Sequence, residues 1–332
     1  MSAKQSTEVM IEPNEPHWVS RTAFTSVTLM FFITQAALGF ALYRSVYWLA
    51  VPLVLVSSHL MHGMLIGLHE ASHGLLRKSR LLNEIDGIII GVFTFVSFSL
   101  FRAVHQSHHA HFTTERDEEL WPFVCPAVSR PLRILTAVLE LSASLLYTPF
   151  LFTRAFLRTG SSIRKKSVRR RICAEFALSA VVWIGILAAV ALCDLWNYFL
   201  WLYLAPAFLA ANMQSLRKYI EHVGLTGSTI NSSTRSIVSN GWLGRLVAFT
   251  LLHEPYHGVH HRHAGLPHAK LPQFAGELTP KTPGELPPFR SYWHALWDLL
   301  RSLADPRVGA QWNAATSAAA RSWPKRVERT TS

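Results

Sequence analysis

The sequence is poor in charged residues and has no paired cysteines. Aspartate, glutamate, lysine and arginine make up 16% of its 332 residues, against roughly 25% in an average soluble domain. The spacing of Cys125, Cys173 and Cys193 argues against a disulfide framework. The polar, acidic N-terminus lacks a basic region and a small-residue cleavage site, so we predict no cleaved signal peptide. Because half of the residues are hydrophobic, the low charge indicates a membrane protein.

The net charge of +12 raises the question of nucleic-acid binding. Much of this charge lies in the stretch RTGSSIRKKSVRRR (158–171), directly before a long apolar run. No nucleic-acid-binding motif and no interleaving of basic and aromatic residues accompanies it, so we predict no nucleic-acid partner. The position indicates instead the cytoplasmic flank of a transmembrane helix, which can also contact anionic lipids.

Four apolar runs are long enough to cross a bilayer, for which about 20 helical residues suffice. Residues 22–43 and 47–68 form one predicted helical hairpin, and residues 172–193 and 195–211 form a second. Pro206 is expected to bend the last arm. The sequence therefore predicts an all-α membrane protein with four transmembrane helices in two hairpins and a cytoplasmic, histidine-rich helical cap.

Two further apolar runs, 85–101 and 132–152, are ambiguous, because the first is short and Pro149 interrupts the second. The histidine clusters described below can meet only if an even number of crossings separates them, so we expect these runs to dip into the bilayer or lie along its surface. The hairpin tips carry only Arg44 and Asp194. Since most basic residues fall on the opposite side, we expect the histidines and both termini to be cytoplasmic.

The predicted organisation has four parts. They are a cytoplasmic N-terminal segment (1–21), a membrane domain with the histidine clusters (22–272), a proline-rich connector with an amphipathic helix (273–304) and a disordered tail (305–332). The amphipathic helix places its large apolar residues on one face, Trp293, Leu296, Trp297 and Leu300. We expect this helix to lie at the membrane interface or to pack on the cytoplasmic domain.

Three histidine clusters carry the chemistry. The stretch HEASH provides His69 and His73, HQSHH provides His105, His108 and His109, and HGVHH provides His257, His260 and His261. On a helix, positions i, i+3 and i+4 share a face, so each cluster can present two or three imidazoles to one place. Imidazole suits zinc, iron, copper or nickel. Because a tetrahedral zinc takes three or four protein ligands, these histidines indicate two metal ions.

The stretch HEASH also matches the H-E-x-x-H pattern of zinc proteases, with His69 and His73 as ligands and Glu70 as general base. That interpretation needs a third ligand and leaves the other histidines unexplained. A membrane zinc hydrolase and a non-enzymatic metal-binding protein remain open as alternatives. His62 lies seven residues before His69 on the same side of the helix, so it either lines the site or makes a polar contact within the bundle.

The order H-x-x-x-H, H-x-x-H-H, H-x-x-H-H at the ends of apolar spans resembles the integral-membrane fatty acid desaturase and hydroxylase family. The resemblance runs from about His59 to Pro272 and includes HQSHHAHFTTERDEELWP and YHGVHHRHAGLPHAKLP, which are similar to the second and third boxes with their sequels. The stretch RKYIEHVGL resembles an additional E-H element, which makes His222 a ninth candidate ligand. The resemblance implies that the box histidines bind two iron ions. Glu221 and Asp117 either orient imidazole N–H groups or are solvated surface carboxylates, and both roles remain open.

The resemblance also implies O2-dependent oxidation of an unactivated C–H bond. We expect a desaturase of acyl-lipids or acyl-thioesters. A hydroxylase or ketolase acting on a fatty acid, alkane, sterol or carotenoid remains open, because no sequence feature excludes it. Electrons must come from a separate ferredoxin or cytochrome, because the chain has no H-P-G-G haem element, no cysteine-rich ferredoxin pattern and no G-x-G-x-x-G fingerprint.

Overall fold

The computed structural model describes residues 18–313, with side chains from residue 22 onwards, and this part of the chain contains no β-strand. In chain order, the helices are α1 (Trp18–Tyr43), α2 (Tyr47–Ser72), α3 (Arg80–Phe93), α4 (Phe98–Ala110), α5 (Arg130–Ser142), α6 (Ser144–Leu157), α7 (Lys166–Leu192), α8 (Trp196–Phe199), α9 (Ala205–His222), α10 (Ile230–Ser233), α11 (Trp242–Thr250), α12 (His257–Arg262) and α13 (Tyr292–Leu300). A π-helical turn occupies Leu200–Leu204, and a 3₁₀ helix occupies His268–Leu278.

Four helical segments of the described chain are long and apolar enough to cross a membrane, which confirms the predicted number. Helices α1 and α2 form the first hairpin, and α7 pairs with the continuous span Trp196–His222 in the second. The predicted N-terminal segment 1–21 lies largely outside the described residues, and α1 already includes its last part, from Trp18. The membrane domain is therefore helical, as the apolar runs indicated.

The fourth span continues through Pro206, which has no N–H to donate to the carbonyl of Leu202. That carbonyl accepts a hydrogen bond from Gln35 Nε2 of α1 at 2.8 Å instead. The π-helical turn Leu200–Leu204 directly precedes the proline. The hydrogen bond from Gln35 matters because the hydrocarbon core of a membrane offers no water to pair with the Leu202 carbonyl.

The first ambiguous run forms α3 and α4, which meet at an angle of 101°. Helix α4 returns to the C-terminal end of α2, where the Nε2 atoms of His73 and His105 lie 2.9 Å apart. The pair therefore ends on the side of the bundle where it began, as the parity argument expected. The turn between the two helices has Phe95 at a φ of 58°, a left-handed conformation that is rare for a bulky residue.

The spanning helices hold this re-entrant pair in place. Trp183 Nε1 of α7 donates to the carbonyl of Val92 at 2.8 Å, and Tyr203 of the fourth span donates to the carbonyl of Phe93 at 2.7 Å. At the start of α4, the carboxylate of Glu175 accepts hydrogen bonds of 2.6 to 2.8 Å from Ser97 Oγ and from the backbone N–H and Oγ of Ser99. A carboxylate is favourable there because it faces the positive end of the helix dipole.

The second ambiguous run is divided between α5 and α6 by Ala143, and neither helix is long enough to be a span. Helix α6 packs against α4 and α9. Its opposite side exposes Leu146, Phe150 and Leu157. Exposed apolar residues of this kind fit the expected position along or within the bilayer.

The segments after the third histidine cluster are more ordered than the sequence predicted. The 3₁₀ helix His268–Leu278 occupies the start of the proline-rich connector, because Leu271 and Leu278 are buried against Val259 of α12. Residues 305–313, which we expected to be disordered, pack against the domain. There Trp312 Nε1 donates to the carbonyl of Phe123 at 2.7 Å. The rest of the predicted tail lies outside the described residues.

Helix α13 turns two different faces to its surroundings. Ala295 and Leu299 are fully buried in a core that also contains Tyr219 of α9. Trp293 and Trp297, which the sequence placed on the apolar face, are 62% and 53% exposed. The helix therefore packs on the bundle and still presents tryptophan outwards, which suits a membrane interface.

Candidate metal centre

Nine histidines from α2, α4, α9 and α12, or directly after α2, converge at one end of the bundle. Their ligand-capable atoms form overlapping compact sets, each with its members within 4.8 Å of one another, and His222 belongs both to the set with His108 and His261 and to the set with His257. We call the first set group 1, with His69, His73, His105, His109 and His260, and the second set group 2, with His108, His222, His257 and His261. The structure thus brings together all eight box histidines and His222.

The H-x-x-H-H spacing divides each box between the two groups. In α4, His105 and His109 are one turn apart and join group 1, whereas His108 joins group 2. In α12 the division is reversed, because His260 joins group 1 and His261 joins group 2 with His257. An i, i+4 pair therefore faces one group and the residue at i+3 faces its neighbour.

In group 1, the imidazole nitrogens are arranged to hold a cation. The Nε2 atom of His105 lies 2.9 Å from Nε2 of His73 and 3.1 Å from Nε2 of His109. Its Nδ1–H donates to Glu119 Oε2 at 2.8 Å. Because a carboxylate only accepts, the Nε2 atom of His105 keeps its lone pair. Nitrogens that face one another at this distance could hold a metal ion.

Group 2 repeats this arrangement. The Nε2 atoms of His257 and His222 lie 2.8 Å apart, and those of His108 and His261 lie 3.3 Å apart. On the other side of the rings, Nδ1 of His108 donates to Asp117 Oδ2 at 2.8 Å, and Nδ1 of His257 lies 3.0 Å from Glu254 Oε1. This donor set fits a second metal ion beside the first.

Burial favours the neutral form of the ring that binds metals. Desolvation and the neighbouring imidazoles lower the pKa of His260 well below its usual range. Burial also lowers the pKa of His257 and of His261 well below the usual range. Burial alone would raise the pKa of Glu119, but His105 and His108 hold it well below its usual range. That carboxylate is therefore ionised and able to accept an imidazole N–H.

A buried ionic network lies behind the two groups, and most of it was missed by the sequence analysis. Glu254 contacts a histidine of each group, with Oε2 3.4 Å from Nδ1 of His69 and Oε1 3.0 Å from Nδ1 of His257. Arg217 pairs with Glu254 at 2.9 Å and also with Glu221. The signal for Glu254 was its position three residues before His257. The signal for Glu119 was the acidic sequence after the second box.

The structure places the remaining candidates as follows. Asp117 contacts His108 as described, and Glu221 Oε2 lies 3.7 Å from Nδ1 of His257. His62 is buried but belongs to neither group among the described residues. Glu70 lies on the Nδ1 side of His69, at 3.9 Å. Because three more histidines join His69 and His73 in group 1, the donor set does not match a three-ligand protease zinc.

An apolar pocket opens against the metal centre between α2, α4, α6 and α9. It encloses about 960 Å³ of empty space, including its mouth, and reaches His69, His105, His222 and His257. Its walls include Met61 and Leu65 of α2, Phe101 of α4, Phe152 of α6, and Ala207 and Ala211 of α9. The mostly apolar wall suits a long apolar molecule.

Comparison with known proteins identifies relatives of this chain. A family model described as fatty acid desaturase matches residues 46–293. The chain is also 28% identical, over 118 residues, to a protein of Glycine max named omega-3 fatty acid desaturase, chloroplastic. That match covers 34% of this chain and 26% of the relative, so the aligned part spans about a quarter of the relative's length.

Proposed function

Because this membrane protein belongs to the fatty acid desaturase family, whose model covers residues 46–293, we propose that it inserts a double bond into an unactivated acyl chain. The family makes it an oxidoreductase that acts on lipid. Our proposal adds that two iron ions occupy the histidine groups, that O2 is the co-substrate, and that the chain is carried as an acyl-lipid or acyl-thioester. A separate ferredoxin or cytochrome supplies the electrons.

The observation that carries this proposal is the junction of the apolar pocket with both histidine groups. The pocket is lined by His69 and His105 of group 1 and by His222 and His257 of group 2. An acyl chain lying in the pocket therefore brings a C–H bond close to both proposed metal positions. Burial of the chain in an apolar pocket also excludes bulk water from the reaction.

Two iron ions bound by the nine histidines would supply the O2 activation that C–H cleavage requires. The protein holds the imidazoles in place. Glu119 and Asp117 fix the rings of His105 and His108 through their Nδ1–H groups, which also increases the basicity of the ligating nitrogens. Arg217 compensates the buried charges of Glu221 and Glu254, because a buried carboxylate without a partner is costly.

A lipid profile tests the proposal. We expect a host that expresses the chain to contain a lipid with two hydrogens fewer, and a host that expresses His260→Ala to lack it, because His260 belongs to group 1. Mass spectrometry of total lipids measures the difference, and metal analysis of the purified protein should give two irons per chain.

The same experiment separates the alternatives. A product with one added oxygen that depends on His260 would establish the hydroxylase or ketolase. Unchanged lipids in a host with competent iron and electron donors would contradict the desaturase proposal. A zinc hydrolase would contain zinc and would survive the loss of His260.

A further inference from the structure

A lysine lies in the wall of the pocket beside the metal centre. Lys218 of α9 is four residues before His222 and lines the same pocket. Its ammonium pairs with the carboxylate of Glu140 from α5, which also accepts a hydrogen bond from Tyr219 at 3.0 Å. Glu140 is completely buried, whereas the side chain of Lys218 keeps 14% of its surface accessible. Both side chains line the pocket, but the lysine keeps more accessible surface than its partner.

The ion pair does not use the full hydrogen-bonding capacity of Lys218. An ammonium has three N–H donors, and within residues 18–313 Glu140 is the only hydrogen-bond acceptor found for Nζ. The other pocket-lining cation, Arg217, has a side chain that is only 6% exposed and is held between Glu221 and Glu254. Lys218 is consequently the cation in the pocket wall that can meet a ligand.

The charge of the pocket favours a ligand oxygen once metals are bound. Two cations and four carboxylates line it, Arg217, Lys218, Glu119, Glu140, Glu221 and Glu254. Two divalent metal ions would more than offset the excess of carboxylates. In a mostly apolar cavity, a charge-assisted hydrogen bond to an oxygen is stronger than in water. A hydrocarbon without oxygen could not accept a hydrogen bond from the lysine in this wall.

We propose that Lys218 binds the acyl oxygen of the substrate, either the carboxylate of a fatty acid or the carbonyl of an ester or thioester. The inference rests on the proposed function, since it assigns the polar end of the same substrate. Lys218 and His222 are one helical turn apart, a rise of about 6 Å. Lys218 thus holds the acyl oxygen at a fixed distance from the metal centre, and the chain fills the apolar part of the same pocket, which the histidines also line. The double bond is then positioned by its distance from the acyl carbon.

Lys218 also neutralises the buried carboxylate of Glu140. A variant that removes the lysine alone would leave that charge unpaired, so the test changes both residues together. Lys218→Met combined with Glu140→Gln removes both charges together, and the amide oxygen introduced by the second change can still accept the hydrogen bond from Tyr219. Lys218→Arg keeps the charge and the donors. Hexadecane serves as the control ligand, because it fills the apolar pocket without offering an oxygen.

The first measurement is binding of hexadecanoate, methyl hexadecanoate and hexadecane to the full chain purified in detergent. We expect the two oxygen-bearing ligands to bind at least about tenfold more tightly than hexadecane. The double variant should lose this preference while binding hexadecane unchanged, and Lys218→Arg should retain most of it. Equal binding of all three ligands by the wild type, or a preference that survives in the double variant, would overturn the proposal. A preference for hexadecanoate alone would identify the free acid as the ligand.

The second measurement locates the double bond in chains of 14, 16 and 18 carbons supplied to an expressing host. We expect a constant position counted from the acyl carbon, and a loss of that constancy in the double variant. A position that is constant from the methyl end would contradict the role of Lys218. If no double bond forms in any chain, the proposed function fails, and the binding comparison decides the role of Lys218 independently of it.

Discussion

Individual carboxylates determine how the imidazoles of the metal centre are oriented, and Glu254 has the widest influence. It is the residue that contacts both His69 of group 1 and His257 of group 2, while Arg217 holds it from behind. Its side chain is only 1% exposed, so these contacts are largely shielded from solvent. Changes at Glu254 should therefore affect both metal positions.

We expect Glu254→Gln to weaken iron binding by roughly 10- to 100-fold, the usual effect of losing a partner of a ligating histidine. Chelator titration of the purified protein, followed by metal analysis, measures the change. Glu277→Gln is the matched control, because Glu277 contacts His263, which belongs to neither group. Equal loss of iron in both variants would show that the effect of Glu254 is not specific.

At this scale, the sequence predicted the convergence of the histidines better than it predicted the residues that surround them. Helical spacing placed the histidines of each box on one side of its helix, because i, i+3 and i+4 share a face whatever the tertiary structure is. The division of each box between two groups depends on how α4 and α12 are turned towards each other, which spacing does not specify. Arg217 and Glu254 pair across 37 residues of chain, so no local pattern connects them.

At the scale of elements, the position of α4 depends on the carboxylate that accepts hydrogen bonds at its first turn. Glu175 of α7 accepts hydrogen bonds from Ser97 and Ser99 at the start of α4. The three box histidines of α4 lie at the other end of this helix. A loosened start of α4 should therefore displace three imidazoles together.

We expect Glu175→Ala to destabilise the protein by about 2 kcal/mol or more, because it leaves several buried donors without an acceptor. Thermal unfolding in detergent measures the loss, and a lower iron content should accompany it. Glu84→Ala is the control, since Glu84 also pairs with Arg171 but its side chain is 27% exposed, so its loss should have a smaller effect. A destabilisation by Glu84→Ala as large as that by Glu175→Ala would refute the specific role.

The elements themselves were predicted unevenly. Apolar length found the four spans, and the parity argument found that 85–101 returns to its starting side. The partners of its turn could not be predicted, because Trp183 and Tyr203 are distant in sequence and act through single hydrogen bonds to backbone carbonyls. The order of residues 305–313 was missed because a polar composition concealed two buried residues, Val308 and Trp312.

At the scale of the whole molecule, the distribution of charge bears on orientation and on the electron donor. Arg164, Lys165, Lys166 and Arg170 are exposed at the start of α7. We propose that this end of α7, together with both termini and the histidine groups, is cytoplasmic. An acidic ferredoxin or cytochrome would then approach a basic surface.

We expect reduction of the metal centre by an acidic donor to slow as salt is raised, because exposed charges are screened over about 8 to 10 Å at physiological ionic strength. Replacing Arg164, Lys165 and Arg170 by glutamine should lower the rate at low salt and flatten the salt dependence. Stopped-flow reduction measures both effects. A rate that does not respond to salt would argue against electrostatic attraction of the donor.

The crosswise division of the two H-x-x-H-H boxes also has a consequence for how the two proposed iron ions would bind. Helix α4 gives two histidines to group 1 and one to group 2, while α12 gives one histidine to group 1 and two to group 2. Under the proposed function, the first ion would order both helices and prepare the remaining histidines, so we expect the second ion to bind more tightly, which is positive cooperativity. Native mass spectrometry during iron titration should show empty and fully loaded chains with few singly loaded ones. An accumulating one-iron species would instead mean that the two positions fill independently.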